Sequence, residues 1–305
     1  MVWRSVIISK PAQLKRDHFS LRIDQEETVH VPFEDIAVIV LHHRQITLTH
    51  PVLAACAEYG ISLFSTDDAH HPNGVFLPYL QHTRATKLLR LQMQLSRPFT
   101  KQLWAKIIQR KIENQAICLA LNHQDGVEEL KRFARRLRSG DPDNLEAQAS
   151  AYYFPRLFWQ GFYRSQDNWV NASLNYGYSI LRGTIARGLV AHGLFPSLGI
   201  FHASEQNAFN LADDIIEPFR PLVDLHVTQQ LKRNHGQIPD EFSTYDKAEL
   251  VQLLHIDIKM PRGMMSVLSA IEQVVESLVR CYESDELNGL ELPIITGLAL
   301  HQLRE

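Results

Sequence analysis

The residue types best suited to chemistry are concentrated in the segment HASEQNAFNLADDIIEPFRP, which begins at His202. On a helix spanning roughly residues 208–218, side chains three and four positions apart share a face, so Asn210, Asp214 and Glu217 line one stripe. Carboxylates suit hard cations such as Mg²⁺ and Mn²⁺, and one imidazole favours Mn²⁺. The segment therefore predicts a divalent-cation site or, as the alternative, the solvated face of an ordinary amphipathic helix.

Basic residues are concentrated in a second segment, between Arg84 and Arg138, where 13 Lys and Arg accompany four Asp and Glu. The whole chain carries a net charge of −3, so the remainder is acidic. A basic block on an acidic protein is typical of a surface that contacts phosphates, whereas most charge runs are solvated helix faces. The residues that we predict to contact phosphates are Lys101, Lys106, Arg110, Lys111, Arg132, Arg135 and Arg136.

Composition limits the class of protein. The 305 residues are 45% hydrophobic and 21% charged, as in a globular protein with a substantial core. No apolar run approaches the roughly 18 residues that span a bilayer, and the N-terminus does not resemble a signal peptide. Three dispersed cysteines without CxxC spacing argue against a zinc site or a disulfide framework. We expect a cytoplasmic protein that does not associate with membranes.

The residue patterns divide the chain into two parts. Up to about residue 80, short β-branched or alternating runs such as WRSVIIS and EDIAVIVL predict strands. Beyond it, apolar residues recur at helical spacing, with breaks that include Asn122 and Asn168. Strands followed by helices indicate segregated parts rather than a βαβ sheet. We predict an α+β protein with a small, mostly-β N-terminal domain (residues 1–80) and a larger all-α domain (residues 81–305).

Several motifs, in order along the chain, resemble those of the CRISPR-associated integrases, the metal-dependent endonucleases of the spacer-acquisition complex. NLEAQASAYYFPRLF is similar to the family's glutamate-bearing helix, and SLNYGYSILRGTIARGLVAHGLFPSLGIFH to the stretch that ends in its histidine. DDIIEPFRPLVD resembles the family's D-L-x-E-x-F-R-P helix, and LWAKIIQRKIENQ its K-I-x-N-Q helix. The resemblance extends from about residue 35 to residue 224 and is closest to the subtype II branch.

The resemblance implies roles for individual residues. The metal-binding and catalytic residues that it implies are Glu146, His202 and Glu217, all in the larger, catalytic domain. Asp214 takes the position of the family's preceding acid, with a supporting or second-ligand role, and the adjacent Asp213 could exchange roles with it. The implied cofactor is Mg²⁺ or Mn²⁺.

The resemblance also implies partners and a reaction. Family members form homodimers through the strand-rich N-terminal part, and two such dimers hold a dimer of a small ferredoxin-like companion protein together with double-stranded DNA. The implied reaction inserts short duplex DNA (a spacer) into the CRISPR array by 3′-OH transesterification. Two alternatives stay open on the sequence, namely a catalytically silent DNA-binding scaffold subunit and a stand-alone metal-dependent DNA nuclease.

Overall fold

The computed structural model describes residues 4–68, 72–79 and 82–301. Its strands are, in chain order, β1 (Arg4–Ile8), β2 (Ala12–Asp17), β3 (Ser20–Asp24), β4 (Thr28–Pro32), β5 (Ile36–Leu41), β6 (Ile46–Leu48), β7 (Ser62–Thr66), β8 (Pro72–Phe76), β9 (Asp257–Met260) and β10 (Gly263–Ser266). Its α-helices are α1 (His50–Glu58), α2 (Ala85–Gln94), α3 (Arg97–Leu121), α4 (Val127–Arg136), α5 (Leu145–Leu157), α6 (Trp169–Ala191), α7 (Asn210–Ile215), α8 (Arg220–Arg233), α9 (Thr244–Gln252) and α10 (Val267–Ser284). None of the helices in these ranges combines the length and the apolar character that a membrane span requires.

Strands β1 to β8 form two four-stranded sheets. The first has the order β4-β3-β2-β6 and is antiparallel except for the β2–β6 pair. The second has the order β1-β5-β7-β8, with β1, β5 and β7 parallel. Parallel neighbours need a crossover connection, which β6 and α1 provide between β5 and β7. The N-terminal part therefore contains a small parallel β-α-β unit, which the sequence interpretation did not include.

The second sheet lies between two hydrophobic cores. Val38 and Val40 on β5 pack into the large helical core, whereas Ile39 between them packs into the small N-terminal core. Successive side chains of a strand point to opposite faces, so a strand buried on both faces has a continuous apolar sequence, here IAVIVL. One face of this sheet thus supports the helices that carry the candidate site.

Helices α3 and α6 form the centre of the larger part. Helix α6 is buried along most of its length, and α3 contacts α4, α5, α7 and α8. Asn168 caps α6 by accepting a hydrogen bond from the Asn171 amide, a role for which asparagine is preferred. The predicted breaks are confirmed, since α3 ends one residue before Asn122 and α6 begins directly after Asn168.

The α+β class and the order of the two parts are confirmed. The larger part is not all-α, however, because β9 and β10 form an antiparallel hairpin before α10. The C-terminal tail packs against this hairpin and against α3: Ile294 pairs with Lys259, and Asn114 donates to the carbonyl of Pro293. The predicted domain boundary falls on residues 80 and 81, outside the described ranges, so it stays a prediction.

Candidate active site

Three elements bring candidate residues to one side of α3. Glu146 lies in the first turn of α5, and His202 lies in the loop between α6 and α7. Glu217 begins a 3-10 turn between α7 and α8. The structure thus brings together segments that are far apart in the sequence.

The helix predicted over 208–218 is interrupted. Helix α7 ends at Ile215, and Pro218 explains the break because it lacks an amide hydrogen and disfavours helical geometry in the residue before it. Asn210, Asp214 and Glu217 are 4%, 0% and 4% exposed. The alternative of a solvated helix face is therefore wrong for this stripe.

Glu146 is fixed by the loop before α5. Asp141 accepts hydrogen bonds from the amides of Leu145, at 2.8 Å, and Glu146, at 3.0 Å. These amides belong to the first turn of the helix and have no partner within it. The Asp141 carboxylate thereby anchors the turn that carries Glu146.

Glu146 and Glu217 converge on one buried cation, the ammonium group of Lys111 on α3. Nζ of Lys111 lies 2.7 Å from Oε1 of Glu146 and 2.6 Å from Oε2 of Glu217. The other oxygen of Glu217, Oε1, accepts a hydrogen bond from Nε of Arg220 at 2.8 Å. Burial raises the pKa of Glu217 because it disfavours the ionised form. The positive charges of Arg220 and Lys111 have the larger, opposite effect and lower this pKa to about 2. The carboxylate is therefore ionised at neutral pH.

His202 is oriented by Asp214. Oδ1 of Asp214 lies 2.7 Å from Nδ1 of His202 and accepts a hydrogen bond from the His202 amide at 3.1 Å. Its Oδ2 accepts hydrogen bonds from the amides of Ile200 and Phe201. The bond to Asp214 raises the pKa of His202, with burial opposing it. Because Nδ1 is engaged, Nε2 is the nitrogen that remains for a ligand.

Helix α3 connects the two halves of the site. The Trp104 ring stacks on Phe201 at 4.3 Å between centroids and meets the edge of His202 at 5.7 Å. Lys111 follows Trp104 by two helical turns and therefore lies on the same face of α3. One helix face thus contacts the imidazole at one end and both glutamates at the other.

Asp213 and Asp214, whose roles the sequence left interchangeable, have different partners in the structure. Asp213 pairs with Arg182, with 2.7 Å between Nε and Oδ1, and accepts a hydrogen bond from the side-chain amide of Asn207. The two aspartates are adjacent on α7 and so point to different sides of the helix. Asp214 alone of the two contacts His202.

Replacing Gly199 by alanine is expected to disturb the His202–Asp214 pair. A Cβ atom at position 199 would lie 2.1 Å from the His202 carbonyl oxygen and 2.9 Å from Oδ2 of Asp214. Overpacking of this kind costs about 1–3 kcal/mol, and the His202 backbone must shift to relieve it. Thermal unfolding would measure the loss. Gly297→Ala is the control, because a Cβ there meets no atom within 4 Å; equal stability of the two variants would contradict the expectation.

A second buried carboxylate lies behind the site. Asp224 accepts hydrogen bonds from the hydroxyls of Tyr153, at 3.0 Å, and Tyr178. The Tyr178 ring in turn lies 4.6 Å from the guanidinium of Arg220, the partner of Glu217. Burial raises the pKa of Asp224 to about 6, although both tyrosine hydroxyls oppose the shift.

Asp224→Asn is expected to change the pH dependence of stability between pH 4 and 6. The folded protein retains a proton on Asp224 in this window, whereas the unfolded chain has lost it, so the group's contribution to stability falls as pH rises. Across this window, the contribution of Asp224 to the free energy of unfolding decreases by about 3 kcal/mol. Urea unfolding of wild type and variant across pH 4–7 would measure it, with Asp240→Asn, an exposed aspartate, as control. Parallel curves for wild type and Asp224→Asn would refute the expectation.

The predicted phosphate contacts lie in different surroundings. Lys101, Arg132, Arg135 and Arg136 are exposed, and Arg132 pairs with Glu129. Lys106 and Arg110 are partly buried, with Lys106 bonded to the Leu287 carbonyl and Arg110 paired with Glu113. Lys111 lies inside the candidate site, 8% exposed, and not on the surface that the prediction assumed. Phosphate contact stays a prediction for the other six.

The donor set fits a divalent cation. Within the described ranges, no three His, Cys, Asp or Glu side chains already form a metal-binding group. Oε2 of Glu217 is nevertheless a buried oxygen that already contacts a cation, the ammonium group of Lys111 at 2.6 Å. Two glutamates that converge on a cation, with an imidazole nearby, are suited to Mg²⁺ or Mn²⁺. Asp214 has both oxygens occupied, which favours its supporting role.

Comparison with known proteins identifies the family. The family model of CRISPR associated protein Cas1 matches residues 6–259. The chain belongs to the Cas1 family. It is 42% identical over 304 residues to the CRISPR-associated endonuclease Cas1 of Neisseria meningitidis serogroup C (strain 8013), covering 99% of each chain. The family implied by the sequence motifs is thereby confirmed.

Solved structures share the fold of this Cas1-family chain. A casposase bound to integration product superposes with a TM-score of 0.72 at 16% identity, covering 93% of this chain and 91% of that one. A chain of a Cas6-RT-Cas1–Cas2 complex gives a TM-score of 0.73 at 19% identity, covering 97% of this chain and 36% of that one. At these identities the likeness concerns the fold.

The place of Lys111 in the site was not recognised from the sequence. Lys111 was grouped with the basic surface, although its position four residues after Ile107 and seven after Trp104 places it on the apolar face of α3. Arg220 is the second basic residue of the site and pairs with Glu217. The apolar periodicity was thus the available signal for Lys111.

Proposed function

We propose that this chain is a divalent-metal-dependent DNA endonuclease and integrase, which inserts short duplex DNA into the CRISPR array by 3′-OH transesterification. The observation that carries the proposal is the convergence of Glu146 and Glu217 on one cation, beside His202 on the same face of α3. The near full-length similarity to the Neisseria protein, named an endonuclease, supports the nuclease activity and assignment to the subtype II branch.

Mg²⁺ or Mn²⁺ held by Glu146, Glu217 and Nε2 of His202 would supply Lewis-acid stabilisation of charge on the reacting phosphate. Asp214 fixes the orientation of the His202 ring, and Arg220 holds Glu217 in its ionised form. In the reaction, the 3′-hydroxyl oxygen forms a bond to phosphorus as the bond to the leaving 3′ oxygen breaks. The hydroxyl proton is lost and the leaving oxygen gains one, so the number of phosphodiester bonds is unchanged.

Duplex DNA is the proposed substrate, and the exposed basic residues of α3 and α4 are its proposed phosphate contacts. Lys101, Arg132, Arg135 and Arg136 carry charge on exposed side chains, which suits contacts that do not depend on base sequence. The similar casposase is described as bound to an integration product, which agrees with a DNA substrate. Binding should weaken steeply as the salt concentration rises.

The proposed assembly contains two homodimers of this chain and a dimer of a small ferredoxin-like companion protein. The resemblance of the sequence motifs and the Cas1–Cas2 composition of a similar complex support a companion of this kind. Dimerisation through the strand-rich N-terminal part and a cytoplasmic location are further parts of the proposal.

A strand-joining assay tests the proposed function. A short duplex with free 3′-hydroxyls is mixed with a supercoiled plasmid that carries a repeat array and with the companion protein, in Mn²⁺, Mg²⁺ or EDTA. Metal-dependent branched product is expected. Cleavage without joining would favour a stand-alone nuclease, and tight duplex binding without any reaction would favour a scaffold subunit.

A further inference from the structure

Lys111 has a position that the proposed reaction does not explain. The residue is 8% exposed, and its ammonium nitrogen lies within 2.7 Å of an oxygen of each candidate glutamate. A buried lysine is costly unless its charge is compensated, and here Glu146 and Glu217 compensate it. With Arg220, the cluster contains two cations and two anions and is electrically balanced before any metal ion binds.

The oxygen atoms within this cluster are divided between the two cations. Arg220 bonds to Oε1 of Glu217, so Oε2 is the oxygen that remains for another cation. Oε2 is the atom that Lys111 contacts, and Oε1 of Glu146 is also bonded to Lys111. A divalent cation held by both glutamates would therefore share Oε2 of Glu217 with the ammonium group and would lie where that group lies, between the two carboxylates.

We propose that Lys111 is an internal counterion that occupies the position between Glu146 and Glu217 and competes there with the divalent cation. This inference rests on the proposed metal-dependent function. Lys111 acts through the two glutamates and is a positioning residue: it prevents their mutual repulsion when no metal is bound. A lysine suits this role, because its charge is a single point on a flexible four-carbon stem that can withdraw.

Competition has two consequences that a purely structural lysine would not produce together. Removing the charge leaves two adjacent carboxylates without their shared cation, which destabilises the metal-free protein. The same change removes the competitor, so the glutamates should bind a divalent cation more tightly. A lysine that only supports the fold would lower stability and leave metal affinity unchanged or weaker.

The test is a calorimetric titration of Mn²⁺ into wild type and Lys111→Met, together with thermal unfolding in EDTA. We expect Lys111→Met to lower the melting temperature in EDTA and to decrease the Mn²⁺ dissociation constant at least tenfold. Lys106→Met is the matched control, since Lys106 lies on the same helix and bonds to the Leu287 carbonyl instead of the glutamates. If Lys111→Met does not fold without metal, Lys111→Gln, which keeps a hydrogen-bond donor without the charge, takes its place.

The outcomes separate this inference from the proposed function. Mn²⁺ binding to wild type with no tighter binding by the neutral variants would overturn the competition and leave the metal-dependent function intact. If the neutral variants bind Mn²⁺ and wild type does not, the result would support competition strong enough for Lys111 to prevent binding. An absence of Mn²⁺ binding in every protein would overturn both.

Discussion

His202→Ala is expected to abolish strand joining while leaving the fold and duplex binding nearly intact. Loss of an outer-shell partner of a metal ligand already costs about 10–100-fold in activity or metal affinity, so loss of the ligand itself should exceed 100-fold. The side chain is 40% exposed, and its removal takes away the Asp214 pair and the ring contacts with Trp104 and Phe201. Joining rates with Mn²⁺, alongside circular dichroism and duplex affinity, would measure the three properties.

The matched control for His202 is His50→Ala. His50 is exposed at the first position of α1, in the N-terminal part and away from the candidate residues. Its replacement should leave the joining rate unchanged. Wild-type joining by His202→Ala would show that the histidine does not take part in the reaction, and unfolding of that variant would show that its role is structural.

Glu217→Ala is expected to have the largest effect on stability and to remove the response to metal. The change leaves the buried Lys111 and the partly buried Arg220 without the carboxylate that both contact. Breaking a buried ion pair by removing one partner costs about 3–5 kcal/mol. A ligand that binds only the native state raises the melting temperature, so Mn²⁺ should stabilise wild type and not the variant. Thermal unfolding with Mn²⁺ or EDTA would measure both effects.

Glu113→Ala provides the comparison for an ordinary ion pair on the same helix. Glu113 pairs with Arg110, and both side chains are partly exposed, at 32% and 28%. Such pairs contribute up to about 1 kcal/mol to stability. The ion pair of Glu113 is with Arg110 and not with a residue of the candidate site. The Mn²⁺ response of Glu113→Ala should match that of wild type. A full Mn²⁺ response in Glu217→Ala would exclude Glu217 as a ligand.

The pattern of the sequence was sufficient to predict the order and type of most elements. Apolar alternation in the first 80 residues and helical spacing beyond them reflect local geometry, so strands and helices follow from neighbouring residues. Helices α5 and α6 were predicted from such local patterns, as were the breaks at Asn122 and Asn168. The β9–β10 hairpin was missed because its strands are only four residues long.

The sequence by itself determined the family and the chemical types of the candidate residues. Its motifs name Glu146, His202 and Glu217, and the combination of carboxylates with an imidazole predicts a hard divalent cation. Only the tertiary structure decided how these side chains are paired. Burial of the acidic stripe, the bond from Asp214 to His202 and the position of Lys111 between two glutamates all depend on contacts between distant segments. Periodicity reports which face of a helix is buried but not which charges meet there, because that depends on how α3, α5 and the turn before α8 pack together.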